Sequence, residues 1–139
     1  NGNARQSISG LVGASAVAAG DQHSLVLMED GRVHAFGDNS HQQLGGGSLS
    51  IPVPAIDNAV AVAAGGFHSM ALLSDGTVKA WGHNGCGQCG SDSAGLTAKT
   101  VVPGIHSATA IAAGRMHSLV LLRDGTVLAF GDDSFGQRG

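Results

Sequence analysis

The chain has 139 residues, of which 42% are hydrophobic and 12% charged, and its formal net charge is −3. Its length is that of a single domain. Its seven basic residues are scattered along the sequence, and this distribution argues against direct nucleic-acid binding. No apolar run approaches the ~18 residues that a membrane span needs, so we expect no membrane span in this chain.

The N-terminal segment, 1–13, differs from everything that follows it. Its only candidates for burial are Ile8, Leu11 and Val12. We expect it to form an edge strand, or the end of a preceding unit, ahead of three repeats at 14–50, 51–90 and 91–139.

One stretch of sequence occurs three times, at 17–45, 62–90 and 111–139. Equivalent residues are 45 and then 49 positions apart, as Gly20, Gly65 and Gly114 show. A period of this length is typical of architectures in which each repeat is one supersecondary unit.

Each copy begins with two predicted strands. The first is a run of small apolar residues, at 16–19, 60–64 and 110–113, that ends at a glycine, where we expect the positive φ of a tight turn. The second starts at a histidine and is apolar at consecutive positions, which predicts burial on both of its faces.

An Asp-Gly pair follows the second strand in every copy. This dipeptide favours a two-residue hairpin with a type I′ turn, in which both central residues have positive φ. The third predicted strand ends at an aromatic residue followed by a glycine. These aromatic residues are Phe36, Trp81 and Phe130.

A fourth, outermost strand is predicted at 51–56 and at 100–105. Proline is tolerated at a sheet edge, and these segments contain Pro52, Pro54 and Pro103. The segment 91–100 carries the four extra residues of the longer repeat spacing, and we expect it to be a surface loop.

Antiparallel sheets buried on both faces and repeated in tandem need neighbours on either side. The radial packing of blades in a β-propeller supplies these neighbours. We therefore predict an all-β fold, a partial β-propeller of about three four-stranded antiparallel blades. Propellers close with about 4 to 8 blades, so three repeats predict an open arc, as in a fragment, a processed product or a chain completed by other chains.

The repeated pattern A-A-G-x-x-H-S-x-x-L-x-x-D-G-x-V-x-x-[WF]-G-x-[ND]-x-x-x-Q-x-G covers about 14–139. It resembles the repeat of the regulator of chromosome condensation family. The resemblance implies a propeller, most often of seven blades. It implies no single function, since the family includes nucleotide exchange factors, ubiquitin-ligase accessory domains and scaffolds. The extra residues at 91–100 are too few for the wedge with which the family's exchange factor engages its GTPase.

Residues that recur in every copy are interpreted as architectural. Equivalent histidines in neighbouring blades are related by a rotation, so each is expected to bond a turn in its own blade rather than share a metal ion. The aspartates are interpreted as turn residues. The architectural set is Gly20, His23, Asp30, Gly31, Gly65, His68, Asp75, Gly76, Trp81, Gly114, His117, Asp124 and Gly125.

Cys86 and Cys89 have the spacing of half a zinc site or of a redox dithiol, with His83 as a further candidate ligand. The other copies hold unrelated residues at these positions, so an ordinary turn with two free thiols is the favoured interpretation. Metal binding and redox chemistry stay open as alternatives. No catalytic arrangement of residues is found, and we expect neither an enzyme nor a cofactor.

Gln22, Phe67 and Met116 share the position just before the repeat histidine, and Arg115 is adjacent to Met116. Together they predict a small apolar and basic patch suited to a protein contact, although they could instead cover their own blades. We predict a non-catalytic interaction module, an accessory or scaffold subunit whose open blade edges are covered by other protein subunits or by self-association. The alternative is a fragment of an exchange factor for a small GTPase.

Overall fold

The computed structural model describes residues 4–46, 52–92 and 95–139. In this part of the chain ten β-strands form three antiparallel sheets, here called blades 1, 2 and 3. Blade 1 contains β1 (Ala14–Ala19), β2 (His23–Met28) and β3 (Val33–Gly37); blade 2 contains β4 (Ala59–Ala64), β5 (His68–Leu73), β6 (Val78–His83) and β7 (Leu96–Val101); blade 3 contains β8 (Ala108–Ala113), β9 (His117–Leu122) and β10 (Val127–Gly131). The same residues include no helix with the length and hydropathy of a membrane span.

The blades stack side by side around an axis lined by their first strands. Strand β4 packs against both β1 and β8, and within blade 2 the hydrogen-bonded order runs from β4 to β7. The fourth strand is therefore outermost, as predicted. This arrangement confirms the partial β-propeller.

The core lies between the blades rather than within one sheet. Every residue of β5 is buried, which confirms the prediction that this strand has two covered faces. Its side chains alternate: Ala71 and Leu73 pack towards blade 1, whereas Met70 and Leu72 pack towards blade 3. Each interface thus has its own hydrophobic cluster.

The Asp-Gly hairpins form as predicted, but their turn type is different. Met28 N donates to Arg32 O at 2.9 Å and Gly31 N donates to Met28 O at 3.0 Å. Gly31 has a φ of +83°, and Asp30 is not among the described residues with positive φ. This is a three-residue loop with the glycine in a bulge, not a type I′ turn. Asp30 Oδ1 accepts from Arg32 N at 3.0 Å, and the backbone bonds recur at 73–77 and 122–126.

The fourth strand of blade 2 lies earlier than predicted. Strand β7 includes the second half of the segment that was expected to be a surface loop, and Pro103 follows its end. Register places Val101 opposite Lys79 and Leu96 opposite His83. Residues of the expected loop therefore complete the second sheet.

The corresponding segment of blade 1 forms less than a strand. A single isolated bridge joins Pro52 to His34, and Val53 N donates to β3 at 2.7 Å. Proline offers no N–H to extend the ladder, and Ala55 has a φ of +59°, which turns the chain away. Residue 51 of the predicted strand lies outside the described residues.

Of the N-terminal segment, residues 4–13 are described, and they form a turn and irregular structure without a strand. Glu29 N donates to Gly13 O at 2.8 Å, which attaches the end of the segment to blade 1. The predicted edge strand is therefore not formed at 4–13, because a single contact of this kind does not build a ladder.

Candidate functional site

Two sets of turns come together at one end of the blades. His23 at the start of β2 pairs with Gly37 at the end of β3, so the β1–β2 turn lies beside the loop that follows β3. Asp38 N donates to Gln22 O at 2.8 Å and joins the two. Equivalent bonds from His83 N to Phe67 O and from Asp132 N to Met116 O join them in blades 2 and 3. We call this end of the molecule the loop end.

The loop after β3 is held by bonds within itself. Gln43 Oε1 accepts from His41 N at 2.8 Å, and Gln43 Nε2 donates to Asp38 Oδ2 at 2.8 Å. Asn39 Oδ1 accepts from Leu44 N at 3.0 Å. These partners are at most five residues apart, so the hydrogen bonds that shape the loop are local.

The other two loops form the same internal bond from the backbone of the tip residue to a glutamine side chain, and we call these internal bonds the loop frame. Gln88 Oε1 accepts from Cys86 N at 2.9 Å, and Gln137 Oε1 accepts from Phe135 N at 2.8 Å. The frame uses only the backbone of the tip residue, so the tip side chain is free to differ between blades. The tips are His41, Cys86 and Phe135.

A histidine, a serine and a loop carbonyl join blade 1 to blade 2. His23 Nε2 lies 2.9 Å from Ser69 Oγ, and Ser69 Oγ donates to Gln43 O at 2.7 Å. Since the serine O–H donates to the carbonyl, the hydroxyl oxygen accepts a hydrogen bond from His23 Nε2–H. His23 Nε2 therefore carries a proton, and the buried Nδ1 has no partner in the described part of the chain. Burial lowers the pKa of His23.

The same three groups join blade 2 to blade 3. His68 Nε2 lies 2.8 Å from Ser118 Oγ, which donates to Gln88 O at 2.7 Å. Desolvation by burial, and then the nearby histidines, lower the pKa of His68 from 6.5 to about 4. His68 is thus neutral at physiological pH.

The recurring histidines therefore differ from their predicted role, because His23 and His68 bond the next blade rather than a turn of their own. The recurring glycines differ too. Gly20, Gly65 and Gly114 are not among the residues with positive φ. A Cβ on Gly65 would lie 2.1 Å from His68 Cε1 and 2.6 Å from Gly114 O, so the glycine makes room for the imidazole ring.

Trp81 adds a further bond at the first interface. Its side chain is fully buried, and its Nε1 donates to Gln43 O at 2.9 Å, beside the Ser69 bond. A Cβ on Gly45 would lie 2.9 Å from the indole nitrogen, so this loop glycine also makes room for a ring. Trp81 thus contributes to the packing between blades 1 and 2.

Sequence reasoning did not identify the serines or the glutamines of these interfaces. Ser69, Ser118, Gln43 and Gln88 all belong to the repeated pattern, so their recurrence was the available signal. Their partners are 26 to 50 residues away along the chain, and only the stacked blades show them.

The predicted interaction residues all lie at the loop end, but they do not form one patch. Phe67 lies against the loop of blade 1, whereas Arg115 lies at the axis of the arc. Phe67 is half-buried and packs on the ring of His41 with centroids 4.7 Å apart. Arg115 is exposed and its Nε lies 3.2 Å from Asp21 Oδ2. Met116 is half-buried and Gln22 is exposed.

The Arg115–Asp21 pair spans the axis of the arc. It connects blade 3 to blade 1 over Gly66 of blade 2, whose N donates to Arg115 O at 2.9 Å. A Cβ on Gly66 would lie 2.7 Å from that oxygen. The recess between the three turns has a volume of about 190 Å³ and is lined largely by glycine and alanine.

The cysteine pair is chemically unequal. Cys86 is exposed, whereas Cys89 is fully buried and burial raises the pKa of its thiol to about 12. Cys89 Sγ donates to His83 O at 3.4 Å, and His83 Nδ1 lies 2.8 Å from Gln88 Nε2. Within the described ranges no three His, Cys, Asp or Glu side chains are grouped for metal binding. Cys86 is therefore the accessible thiol of the pair.

The chain matches known repeats at the positions of the three blades. A family model of the regulator of chromosome condensation (RCC1) repeat matches residues 14–43, 59–88 and 108–137, and a second model of that repeat matches 30–72. Each of the three matches begins at the first strand of a blade. No curated protein matches the chain.

Solved structures of similar fold include yeast and human proteins. Yeast RCC1 (Prp20), in its complex with Kap60, is 31% identical with a TM-score of 0.79, covering 91% of this chain and 31% of that chain. A structure of Prp20p from Saccharomyces cerevisiae, described with its binding to Gsp1p and histones, is 31% identical with a TM-score of 0.78, covering 91% and 32%. Human WBSCR16 is 25% identical with a TM-score of 0.72, covering 91% and 34%.

The chain thus spans about a third of the length of these structures. The repeat matches coincide with blades whose histidines, serines and glutamines form the same bonds at both interfaces. Together these observations show that the chain belongs to the family of RCC1 repeat proteins.

Proposed function

We propose that this propeller segment is a non-catalytic protein-interaction module, acting as an accessory or scaffold subunit, and that its loop end is the binding surface. One observation carries the proposal: the three loops share an internal frame but present different side chains at their tips. A uniform frame with variable tips suits selective recognition of a protein surface. The frame glutamines are Gln43, Gln88 and Gln137, and the tips are His41, Cys86 and Phe135.

The shape and chemistry of the loop end support a macromolecular partner. The recess of about 190 Å³ at the axis is smaller than the ~300 to 1,000 Å³ of pockets for small molecules. The exposed Arg115 lines this recess, and the half-buried Phe67 lies elsewhere at the loop end, against His41. Aromatic and arginine side chains are enriched at protein interfaces and among their strongest contributors.

The surface can be tested by photo-crosslinking from Cys86. A maleimide benzophenone reacts with this exposed thiol and spares Cys89, whose burial and raised pKa leave it unreactive. We expect the labelled chain to crosslink one reproducible polypeptide in an extract of the source cells. Replacing Phe67 by Ser, or Arg115 by Ala, should reduce its yield several-fold.

The matched control moves the probe away from the loop end. In a Cys86→Ser chain, Val60→Cys places a thiol on β4 of the middle blade, where Val60 is exposed. This probe should not capture the same polypeptide. Equal capture from both positions, or no effect of the Phe67 and Arg115 substitutions, would contradict the proposed surface.

Nucleotide exchange on a small GTPase is the second candidate, favoured by the 31% identity with yeast Prp20p, which is described with its binding to Gsp1p. Release of fluorescent GDP from Gsp1p, measured with and without the chain, distinguishes an interaction module from an exchange factor. Under our proposal the release rate stays unchanged at a large excess of the chain. An acceleration of tenfold or more would favour the exchange factor.

A further inference from the structure

His83 occupies in blade 2 a position that an aspartate occupies in blades 1 and 3. In those two blades Nε2 of the frame glutamine donates to the aspartate carboxylate. The pairs are Gln43 with Asp38 at 2.8 Å and Gln137 with Asp132 at 2.7 Å. In blade 2 the partner of Gln88 Nε2 is His83 Nδ1, also at 2.8 Å. The loop frame of blade 2 therefore depends on an imidazole nitrogen, where the other two depend on a carboxylate.

The bonds around Gln88 determine where the His83 ring carries its proton. Gln88 Oε1 accepts from Cys86 N at 2.9 Å, so the nitrogen of the same amide faces His83 and is a donor. His83 Nδ1 is then the acceptor, and it accepts only while it carries no proton. The loop frame of blade 2 therefore requires the neutral ring.

A proton on His83 Nδ1 places two donors opposite each other. Rotation of the Gln88 amide by half a turn would bring Oε1 to His83, but it would also bring Nε2 against the Cys86 N–H. Each orientation of the amide thus leaves one pair of donors facing each other. Protonation of His83 therefore removes one of the two bonds that form the frame.

The carboxylates of the other two blades avoid this conflict. A hydrogen bond from Ser40 lowers the pKa of Asp38, and one from Ser134 lowers the pKa of Asp132. Both groups are therefore charged acceptors at neutral and mildly acidic pH. The three loops should thus respond differently to the same change of pH.

Gly85 accommodates the imidazole ring in the loop of blade 2. A Cβ on Gly85 would lie 2.7 Å from His83 Cε1 and 3.0 Å from His83 Nε2. The equivalent residues of blades 1 and 3, Ser40 and Ser134, donate to the aspartates instead. Blade 2 thus has a histidine and a glycine in place of an aspartate and a serine, and the two replacements fit each other.

The groups that act on His83 disfavour a positive charge on its ring. The ring of His41 lies edge-on with centroids 5.2 Å apart, and the buried His68 interacts with His83 as well. Desolvation, and then His41, lower the pKa of His83 from 6.5. The loop frame is therefore intact above about pH 6.5 and is lost as the pH falls below that value.

The other elements around His83 leave its ring without a carboxylate partner in the described part of the chain. Asp38 acts on His41, and Lys99, the one charged residue of β7, donates to Gly45 O. On the same loop, Cys89 Sγ donates to His83 O and Cys86 is the exposed thiol. The imidazole is thus the group of this loop that changes charge between neutral and mildly acidic pH.

We propose that His83 makes the loop end sensitive to pH, because its protonation breaks the loop frame of blade 2 and displaces the Cys86 tip. The consequence for binding rests on the function proposed above: a partner held by this loop is bound more weakly in mildly acidic solution. The loops of blades 1 and 3 keep their frames. Acidification thus changes one of these three tips and leaves the other two in place.

Nuclear magnetic resonance at several pH values tests the loop directly. Between about pH 7.5 and about pH 5, the Cys86 backbone amide and the Gln88 side-chain amide should change shift in one step, with the midpoint of the His83 ring. Over the same step the protection of the Cys86 amide against hydrogen exchange should fall by at least about threefold. A Cys86 amide that keeps its protection while His83 is protonated would overturn the inference.

The loop of blade 3 is the matched control in the same sample. The Phe135 backbone amide and the Gln137 side-chain amide make the equivalent bonds with Asp132 as acceptor. They should keep their shift and their protection over this range. An equal loss in both loops would mean that acid loosens the whole loop end, and it too would overturn the inference.

Exchange of residues between the loops tests the role of the histidine. His83→Asp with Gly85→Ser gives blade 2 the residues of the other blades and should abolish the step at Cys86. Asp132→His with Ser134→Gly should create a step in blade 3. Far-ultraviolet circular dichroism checks that both chains fold. A step that persists in the first chain would contradict the inference, and so would a folded second chain without a step.

His41→Phe separates the two neighbouring histidines. Its loop should keep the step at Cys86, but the midpoint should move to higher pH, because a group that lowers the pKa of His83 is removed. A step that disappears with His41 would assign the titration to that ring instead and would overturn the inference.

The binding consequence has its own measurement. The affinity of the polypeptide identified by crosslinking should fall by at least about threefold between about pH 7.5 and about pH 5.5 for the wild-type chain. It should fall less for the His83→Asp, Gly85→Ser chain, and equal losses would overturn the link to binding. Failure to capture any polypeptide would contradict the proposed function, whereas the spectra decide the inference about the loop without a partner.

Discussion

The two blade interfaces share their hydrogen bonds but not their aromatic contacts. At both, a histidine bonds a serine of the next blade, and the serine bonds a glutamine carbonyl. At the first interface the indole of Trp81 donates to the same carbonyl. At the second, Phe130 holds that position, is half-buried and has no N–H to donate. The polar groups thus align the blades, while the aromatic position varies in how much stability it adds.

Removing the indole should give the largest effect on the first interface. Trp81→Ala should lower the free energy of unfolding by about 4 kcal/mol, because it leaves a cavity and removes the bond to Gln43 O. Trp81→Phe keeps most of the ring and should cost about 1 kcal/mol. Urea denaturation at a fixed protein concentration measures both. If Phe130→Ala is as costly as Trp81→Ala, the two interfaces do not differ in the way described.

The second interface should be sensitive to acid through His68. Its pKa is lowered from 6.5 to about 4 in the folded chain, so the unfolded chain binds a proton that the folded chain does not. The contribution of neutral His68 to the free energy of unfolding is therefore intact above about pH 6.5. As the pH falls towards 4, this free energy decreases by up to about 3 kcal/mol. Urea denaturation at several pH values measures this loss.

His68→Gln isolates this effect, since an amide N–H can donate to Ser118 and carries no charge at any of these pH values. The variant should show a shallower fall in stability below pH 6.5. His106→Gln, at an exposed position, should leave the wild-type profile unchanged. An equal slope in the His68 variant and the wild type would rule out His68 as the source.

Removing one serine hydroxyl tests the polar half of the comparison. Ser118→Ala leaves the His68 N–H and the Gln88 carbonyl buried without their partner and should cost about 2 kcal/mol. Ser7→Ala, at an exposed position, should change the free energy by less than about 0.5 kcal/mol. Thermal and urea unfolding of the two variants should agree on this order. Equal values would show that the serine bond does not stabilise the interface.

The smallest effect concerns the loop that supports the first interface. Gln42 has a φ of +61°, where the other loops have Gly87 and Gly136 at +79° and +74°. Gln42→Gly should raise the free energy of unfolding by about 0.5 kcal/mol, since relief of left-handed strain exceeds the entropic cost of glycine. The reciprocal Gly87→Gln should be destabilising, although no atom would contact its Cβ. A stabilised Gly87→Gln chain would contradict this account of the loops.

Much of the fold could be predicted from local patterns. The repeat spacing, the apolar runs and the Asp-Gly pairs predicted blades with buried second strands, and β5 confirms this. The fourth strand of blade 2 was predicted at 100–105, because a proline in that segment indicated a sheet edge. It lies at 96–101, where polar and apolar residues largely alternate in L-T-A-K-T-V. The turn type was wrong because Asp-Gly also suits a loop in which only the glycine has positive φ.

The interface bonds could not be predicted in the same way. The role of Gly65 depends on the His68 ring and on Gly114 O, and the partner of His23 lies 46 residues further along the chain. Such contacts depend on how blades stack, and no local pattern specifies that. Recurrence identified these residues as architectural, but it did not show what each one contacts.

The separation between local and distant bonds has a consequence for the order of folding. Each loop frame closes within five residues, whereas Ser69 reaches Gln43 O across 26. Local closure is entropically cheaper, so we expect the acceptor to be in place before the next blade arrives. We expect blades to add in sequence as the chain leaves the ribosome, each one docking on a finished loop. Pulse-labelling hydrogen exchange should protect the amides of His41 and Leu44 before those shared by β4 and β5.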